Sequence, residues 1–323
     1  MDESQFSIRS FTDSDFESYA ELRRAARPNY PISAATLRQY DESFEANVVH
    51  DRFVAELRRT GQVVAIAGLQ EDPTQAHAGK YWTFVFVRPE FQGQGIGSRL
   101  YDIVLQDARR HNGVCLRTSV QTGEAAGLAF SAHRGFTERT RDWQSVLDVQ
   151  TADTHRLPSL LRGLKDGGIE VTTLAQEGVS DPRVVQRLYR LEVATSPDVP
   201  RMDPYIPWTL DQFRQAELVG PNVLPDGWFI AKAGDEYVAM SWAAREAADP
   251  DMLQQEYTCT LKEYRRRGVA LTLKLGVIEY ARRHGFRRIR TNNDSMNAPM
   301  WKLNEQLGFR RVSTTIQLEK LLS

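Results

Sequence analysis

Gln92-Gly93-Gln94-Gly95-Ile96-Gly97 follows an alternating run, Tyr81-Trp82-Thr83-Phe84-Val85-Phe86-Val87, and opens a stretch to Arg110 with Leu100, Ile103, Val104 and Ala108 on one helical face. The first pattern predicts a strand, the second a helix, and the glycines a turn between them. The arrangement returns 173 residues downstream. Arg265-Arg266-Arg267-Gly268-Val269-Ala270 follows a strand beginning near Tyr257 and precedes a helix carrying Leu271, Leu275, Ile278 and Ala281. At the same offset Ala108-Arg109-Arg110-His111 recurs as Ala281-Arg282-Arg283-His284, and Gly135-Phe136 as Gly308-Phe309. A spacing kept through three blocks argues that each half is a complete folding unit and that function resides at two equivalent turns.

The flanking segments support the duplication. Phe6 to Phe11 alternates like a short strand, and Thr12-Asp13-Ser14-Asp15-Phe16 offers helix-capping residues before Tyr19, Leu22 and Ala26. Ile169 to Leu174 is its counterpart. Arg52–Leu57 and Gln62–Gly68 read as a hairpin, as do Trp228–Ala233 and Tyr237–Trp242 around Gly234-Asp235. Further strands are expected around Val114–Val120 and Arg287–Thr291. The domains are expected at 1–150 and 169–323, with a linker over 151–168 that holds a helix-like patch, Leu157–Leu164, ending in Gly167-Gly168.

Composition bounds the function. With 323 residues, 41% hydrophobic and 26% charged, the chain can bury two cores. A net charge of −1 supplies no general field for nucleic acid; only Arg265–Arg267 and Arg282-Arg283 argue for that class, and no nucleic acid partner is expected. Cys115 and Cys259 occupy non-equivalent positions, which fits a reducing compartment better than a disulfide framework. The start, Met1 to Gln5, is acidic and has no apolar signal core, and no apolar run reaches membrane-spanning length, so a cytoplasmic location is expected. His111 and His284 read as helix C-terminal residues, where a cation suits the helix dipole, and no metal site is expected.

Successive backbone N–H groups at a helix start, with small residues beside them, make a concave site for a phosphate or diphosphate. Gly95, Gly97, Gly268 and Ala270 supply the lack of bulk, and Gln92 and Arg265, Arg266 and Arg267 are side-chain donors within reach. A Walker loop requires a terminal Gly-Lys-Ser/Thr, which neither copy has, and the dinucleotide pattern fails because Arg266 stands where Gly93 should recur.

Val87-Arg88-Pro89-Glu90-Phe91-Gln92-Gly93-Gln94-Gly95-Ile96-Gly97 resembles motif A of the GCN5-related N-acetyltransferases, or GNAT family. Thr260 to Ala270 resembles it too, with Lys262 in place of the proline, and each Gly-Phe ending resembles motif B. The second half, with Asn292-Asn293-Asp294, Asn297-Ala298-Pro299 and Asn304 to Phe309, looks most like two-domain bacterial members related to mycothiol synthase. The resemblance implies an α/β (α+β) fold of two tandem GNAT-like domains, each a mixed, mostly antiparallel sheet flanked by helices.

It also implies acetyl-CoA, or another acyl-CoA, as cofactor. The diphosphate would rest on Gln92, Gly93, Gln94, Gly95, Ile96 and Gly97, or on Arg265, Arg266, Arg267, Gly268, Val269 and Ala270. Backbone groups near Val85 and Val87, or Thr258 and Thr260, would hold the pantetheine arm. A small-molecule amine would attack the thioester directly, after a base removes its proton. Glu256 stands before Tyr257 where the first half has Thr83, which favours the second half for chemistry. The family's tyrosine acid is replaced by Ser131 and Asn304, and Asn304 is the candidate donor to the leaving sulfur. Asn297 reads as a helix cap, Cys259 as a buried hydrophobe, and the stiff Ser196–Trp208 stretch as either a surface loop or an acceptor wall in which Asp198 and Asp203 attract a cation. The alternative function is a noncatalytic acyl-CoA-binding or scaffold protein with degenerate sites.

Overall fold

The alternating runs fold as strands and the periodic runs as helices in both halves. The structure is a computed structural model that describes residues 5–27, 32–42, 48–71, 79–246 and 249–322, so the acidic opening residues 1–4 lie outside it. The chain divides into two compact units, Met1–Arg139 with Ile316–Ser323, and Thr140–Thr315.

The first unit runs β1 (Phe6–Ser10), α1 (Phe16–Ala26), α2 (Ala34–Glu42), β2 (His50–Leu57), β3 (Val63–Glu71), β4 (Lys80–Val87), α3 (Ile96–Arg110), β5 (Cys115–Gln121) and α4 (Ala125–His133). Strands β1 to β4 pair antiparallel in chain order, and β5 joins β4 in parallel. Strand periodicity sends neighbouring residues to opposite faces. Val54 and Ile66 pack under Phe16, Tyr19 and Leu22 of α1. Ala55, Ala65 and Ala67 face Ile96, Leu100 and Val104 of α3. Each fully buried large side chain contributes about 1.5–3 kcal/mol.

The second unit holds most of β6 (Thr137–Asp148), then α5 (Leu157–Asp166), β7 (Glu170–Thr173), α6 (Leu174–Glu177), α7 (Pro182–Thr195), α8 (Leu210–Phe213), β8 (Trp228–Ala233), β9 (Glu236–Arg245), β10 (Met252–Thr260), α9 (Val269–Arg283), β11 (Arg288–Asp294) and α10 (Ala298–Leu307). Strands β7 to β10 pair antiparallel in turn, β11 joins β10 in parallel, and β6 lies antiparallel to β11. Helix α7 covers Ile230, Met240 and Trp242 on one face. The other face receives α9, with Leu273 against Ala231 and Ala239 and with Leu275 and Ile278 against Leu253.

The units differ from the expected division at 150 and 169. Strand β12 (Arg310–Leu321) begins in the second unit and ends in the first. Its Ile316 and Leu318 complete the core around α3, whereas Leu147 and Val149 of the first half belong to the core around α9. The expected linker is also part of a core. Leu157 and Leu160 of α5 pack with Leu275 and Ile278, and Leu164 packs with Val269 and Leu273. The apolar stripe that made α5 look like a helix needed a surface to cover, and α9 provides it.

Candidate functional site

The site in each unit begins where two parallel strands part. Among the described residues, β4 and β5 pair only from Lys80–Cys115 to Trp82–Arg117, and β10 and β11 only from Met252–Arg288 to Gln255–Thr291. Beyond those points one edge of Thr83–Val87, and of Glu256–Thr260, faces the opening and leaves backbone groups for a ligand.

In the first unit the opening is a cleft of about 760 Å³. Its walls include Val85, Val87, Gln92, Gly93, Gly95, Ile96 and Gly97, so those expected contacts converge. Gln94 is not among the lining residues; its Nε2 donates to Glu90 O at 3.0 Å. Gly97 is tight, since a Cβ there would lie 3.3 Å from Val87 and 3.6 Å from Phe130, with the second unit placing Ala270 at the equivalent position. Ile96 and Val269 are buried in their cores, which leaves only their backbone for a ligand.

The two turns share a backbone. Gly93 and Gly95 have φ of 73° and 84°, and their counterparts Arg266 and Gly268 have 60° and 79°. A non-glycine residue in that left-handed region is strained, and the fold keeps it to preserve the shape. The side chains of residues 92 and 265, expected as phosphate donors, each bond a carbonyl of their own strand. Gln92 Nε2 donates to Val87 O at 3.1 Å, and Arg265 Nε to Thr260 O at 2.9 Å, so each ties the turn to its strand. Arg265 also pairs with Asp198, which Lys262 approaches at 3.2 Å; Asp198 is therefore committed to the turn rather than open to a cation. Arg266 and Arg267 are exposed, and the Arg267 guanidinium lies 5.2 Å from the Tyr264 ring centre.

Glu256 is the extra residue of a β-bulge, because the β9–β10 register shifts between Gln255 and Tyr257. Bulges re-aim a side chain beside active sites. Gln255 anchors the distortion by donating to Trp242 O at 2.6 Å. The Glu256 side chain reaches solvent yet has many protein atoms around it. That desolvation pushes its carboxyl up to about 7, with Arg290 opposing and Glu246 adding to the rise. Glu217, in a π-helical turn at Arg214–Leu218, is pushed up to about 8 by burial and by the charges of Glu192 and Glu256. Glu192 of α7 accepts from Tyr205 Oη at 3.1 Å. The loop over 196–208 thus reaches this acidic region through Tyr205, not through Asp198. Sequence spacing could not have found the trio, which comes from a helix, a π-turn and a bulged strand.

Asn304, the donor expected for the leaving sulfur, is fully buried, and its Nδ2 donates one hydrogen bond to Asn293 Oδ1 at 2.6 Å. Asn297 caps α10 by accepting from Met300 N at 3.3 Å. Thr258 hydroxyl meets Ser241 hydroxyl at 2.8 Å, and Thr260 is buried beside the turn. Cys259 is a buried thiol pushed up to about 12 by burial. Lys274, not anticipated, is 2% exposed with its Nζ 5.5 Å from the Phe309 ring centre, and burial lowers its ammonium to about 7. It stands where the first unit has the cleft-lining Tyr101.

A cleft of about 760 Å³ thus lies in the first unit, while Glu256, with its carboxyl pushed up to about 7, lies in the second. The first unit has Thr83 and Ser131 at the positions of Glu256 and Asn304. No helix among the described residues is long and apolar enough to cross a membrane.

The family described as "Acetyltransferase (GNAT) family" matches the chain twice, over residues 17–136 and 186–309. No curated protein sequence matches it. Among solved structures, a GCN5-related N-acetyltransferase from Sphaerobacter thermophilus is 17% identical with a TM-score of 0.73, covering 99% of this chain and 96% of that one. A tandem GNAT protein from the clavulanic acid biosynthesis pathway is 18% identical with a TM-score of 0.74, covering 98% of each chain. The glucosamine N-acetyltransferase region of a fungal multi-domain β-N-acetylglucosaminidase is 13% identical with a TM-score of 0.72, covering 98% of this chain and 38% of that one.

Proposed function

The chain belongs to the GNAT family of acetyltransferases, two tandem GNAT domains in one polypeptide, and on that premise we propose that it transfers an acetyl group from acetyl-CoA to a small cationic amine, with chemistry in the second unit. The observation that carries this reading is Glu256, a solvent-reached carboxylate on a bulge at the parting of β10 and β11, held near neutrality. Acetyl-CoA supplies an activated acyl carbonyl. The open edge of Tyr257–Thr260 offers backbone hydrogen bonds to its pantetheine arm, and the amides from Arg266 to Ala270 suit its diphosphate. Glu256 takes the proton of the acceptor ammonium, and the uncharged nitrogen then attacks the carbonyl. As the C–N bond forms and the C–S bond breaks, the second nitrogen proton would pass to solvent, and solvent would protonate the departing CoA thiolate, one Nδ2 hydrogen of Asn304 being held by Asn293.

The cationic acceptor follows from charge. Glu192 and Glu256 raise the proton affinity of Glu217, and an ammonium bound near these carboxylates relieves that repulsion. Glucosamine, named for one of the structural neighbours, is an amine of the size envisaged. The first unit keeps the cofactor cleft without a carboxylate at the base position, and its reading is acyl-CoA binding without turnover.

The test is titration of acetyl-CoA, with acetyl transfer to a panel of small amines, for wild type, Gly95→Glu and Gly268→Glu, each checked for an unchanged thermal transition. A glutamate at either turn brings a negative charge to the diphosphate site. Turnover lost only in Gly268→Glu, with one binding event lost in each variant, is the expected result. Turnover lost only in Gly95→Glu would move the chemistry to the first unit, and absence of binding in wild type would sink the cofactor assignment.

A further inference from the structure

One polar cluster lies away from both strand partings. Asp51 on β2, Asp107 on α3 and His111 at the end of α3 place one donor atom each within 4.8 Å of one another. Asp107 and His111 are four residues apart and share a helix face. His111 Nε2 lies 3.2 Å from Asp51 Oδ2. Asp107 is 7% exposed, its carboxyl faces that of Asp51, and its Oδ2 has no hydrogen-bond partner. A buried carboxylate oxygen without a donor is costly, and the facing carboxylate of Asp51 adds repulsion that His111 and Arg110 oppose only in part. Arg110 reaches only the other oxygen, Oδ1, at 3.7 Å and is itself largely exposed.

We infer that Asp51, Asp107 and His111 form a divalent transition-metal site, best matched to zinc, that clasps β2 to the C-terminal end of α3. One imidazole and two carboxylates are a mixed nitrogen and oxygen set suited to Zn²⁺, whereas Mg²⁺ and Ca²⁺ select oxygen alone. Three protein ligands leave the fourth tetrahedral position to water. The surroundings are built to hold the histidine. Tyr81 Oη donates to His111 O at 2.9 Å, and Gly113 N donates to Ala108 O at 2.7 Å, closing the helix end tightly. A Cβ on Gly113 would lie 2.7 Å from that same carbonyl oxygen, so the turn requires glycine. The carbonyl end of α3 adds partial negative charge beside the ion.

The duplication supplies an internal control. The residues equivalent to Asp107 and His111 are Tyr280 and His284. The His284 ring stacks on Tyr280 with centroids 4.0 Å apart, and its Nδ1 bonds Tyr280 O at 2.9 Å. That histidine serves its helix end without a ligand set.

The experiment is equilibrium dialysis of the full chain, stripped with chelator, against Zn²⁺, repeated with Co²⁺ for its tetrahedral absorption spectrum. Wild type is expected to retain one ion per chain and to unfold at a higher temperature with it than without. His111→Gln and Asp51→Asn change an exposed and a half-buried side chain, and each is taken forward once its metal-free form unfolds as wild type does; each is expected to lower affinity about tenfold or more, while His284→Gln leaves it unchanged. Asp107→Asn joins the set if its metal-free form unfolds as wild type does. Absence of saturable binding overturns the inference, as does binding that His111→Gln and Asp51→Asn leave intact.

Discussion

Glu256 does its proposed work only when ionised, so kcat/KM for an amine acceptor should rise with pH through an apparent pKa of about 7. Replacing it with glutamine keeps the bulge and removes the base. The expected result is a fall in kcat of roughly 10²–10⁴-fold with acetyl-CoA affinity unchanged, and loss of that acidic limb. An unaltered pH profile in Glu256→Gln would assign the base elsewhere. Lys274 supports a different prediction. Its ammonium is lowered from 10.5 to about 7 by burial, so the unfolded chain binds the proton more tightly between those values. Lysine burial therefore destabilises the fold most below pH 7, and the penalty fades as pH rises toward 10.5. Lys274→Met should raise the thermal transition, by more at pH 6 than at pH 9, as calorimetry at the two pH values would record.

At the scale of elements, β12 does two jobs. Its second half brings Ile316 and Leu318 to the core around α3, and Glu319 pairs with Arg117 at 3.0 Å, where Arg117 is only 2% exposed. Truncating Ile316 to alanine should cost about 2–5 kcal/mol, and Glu319→Ala should cost about 3–5 kcal/mol because a buried guanidinium loses its carboxylate. Denaturant unfolding of the two variants measures both. This element also marks what the sequence could and could not convey. The turn, the helix from Ile96 to Arg110 and the hairpins are local, and periodicity exposes them without knowledge of the rest. Lys274 was legible in principle, being a charge within the apolar stripe of Leu271, Leu275 and Ile278. Arg265 was not, because whether a guanidinium binds a ligand or its own strand depends on the Thr260 carbonyl and Asp198. The bulge at Glu256 is likewise a property of a pair of strands, set by the β9 register. The grouping of Asp51, Asp107 and His111 was hidden for the same reason, since Asp51 meets α3 only after the sheet forms.

At the scale of the molecule, the chain was expected to divide by halves, and its compact units instead borrow across that division. A polypeptide of residues 1–150 would carry Leu147 and Val149 without the α9 core that buries them, and would lack Ile316 and Leu318 for its own. Each such side chain left in water forgoes about 1.5–3 kcal/mol, which is comparable in sum to the whole stability of a domain. Fragment 1–150 is therefore expected to unfold without a cooperative transition, and a synthetic peptide spanning 310–323 should restore one by supplying the missing strand. Circular dichroism melting of the fragment, alone and with the peptide, makes the comparison. A sharp transition in the fragment alone would mean that the first unit closes its core without β12 and that the borrowed strand adds nothing essential.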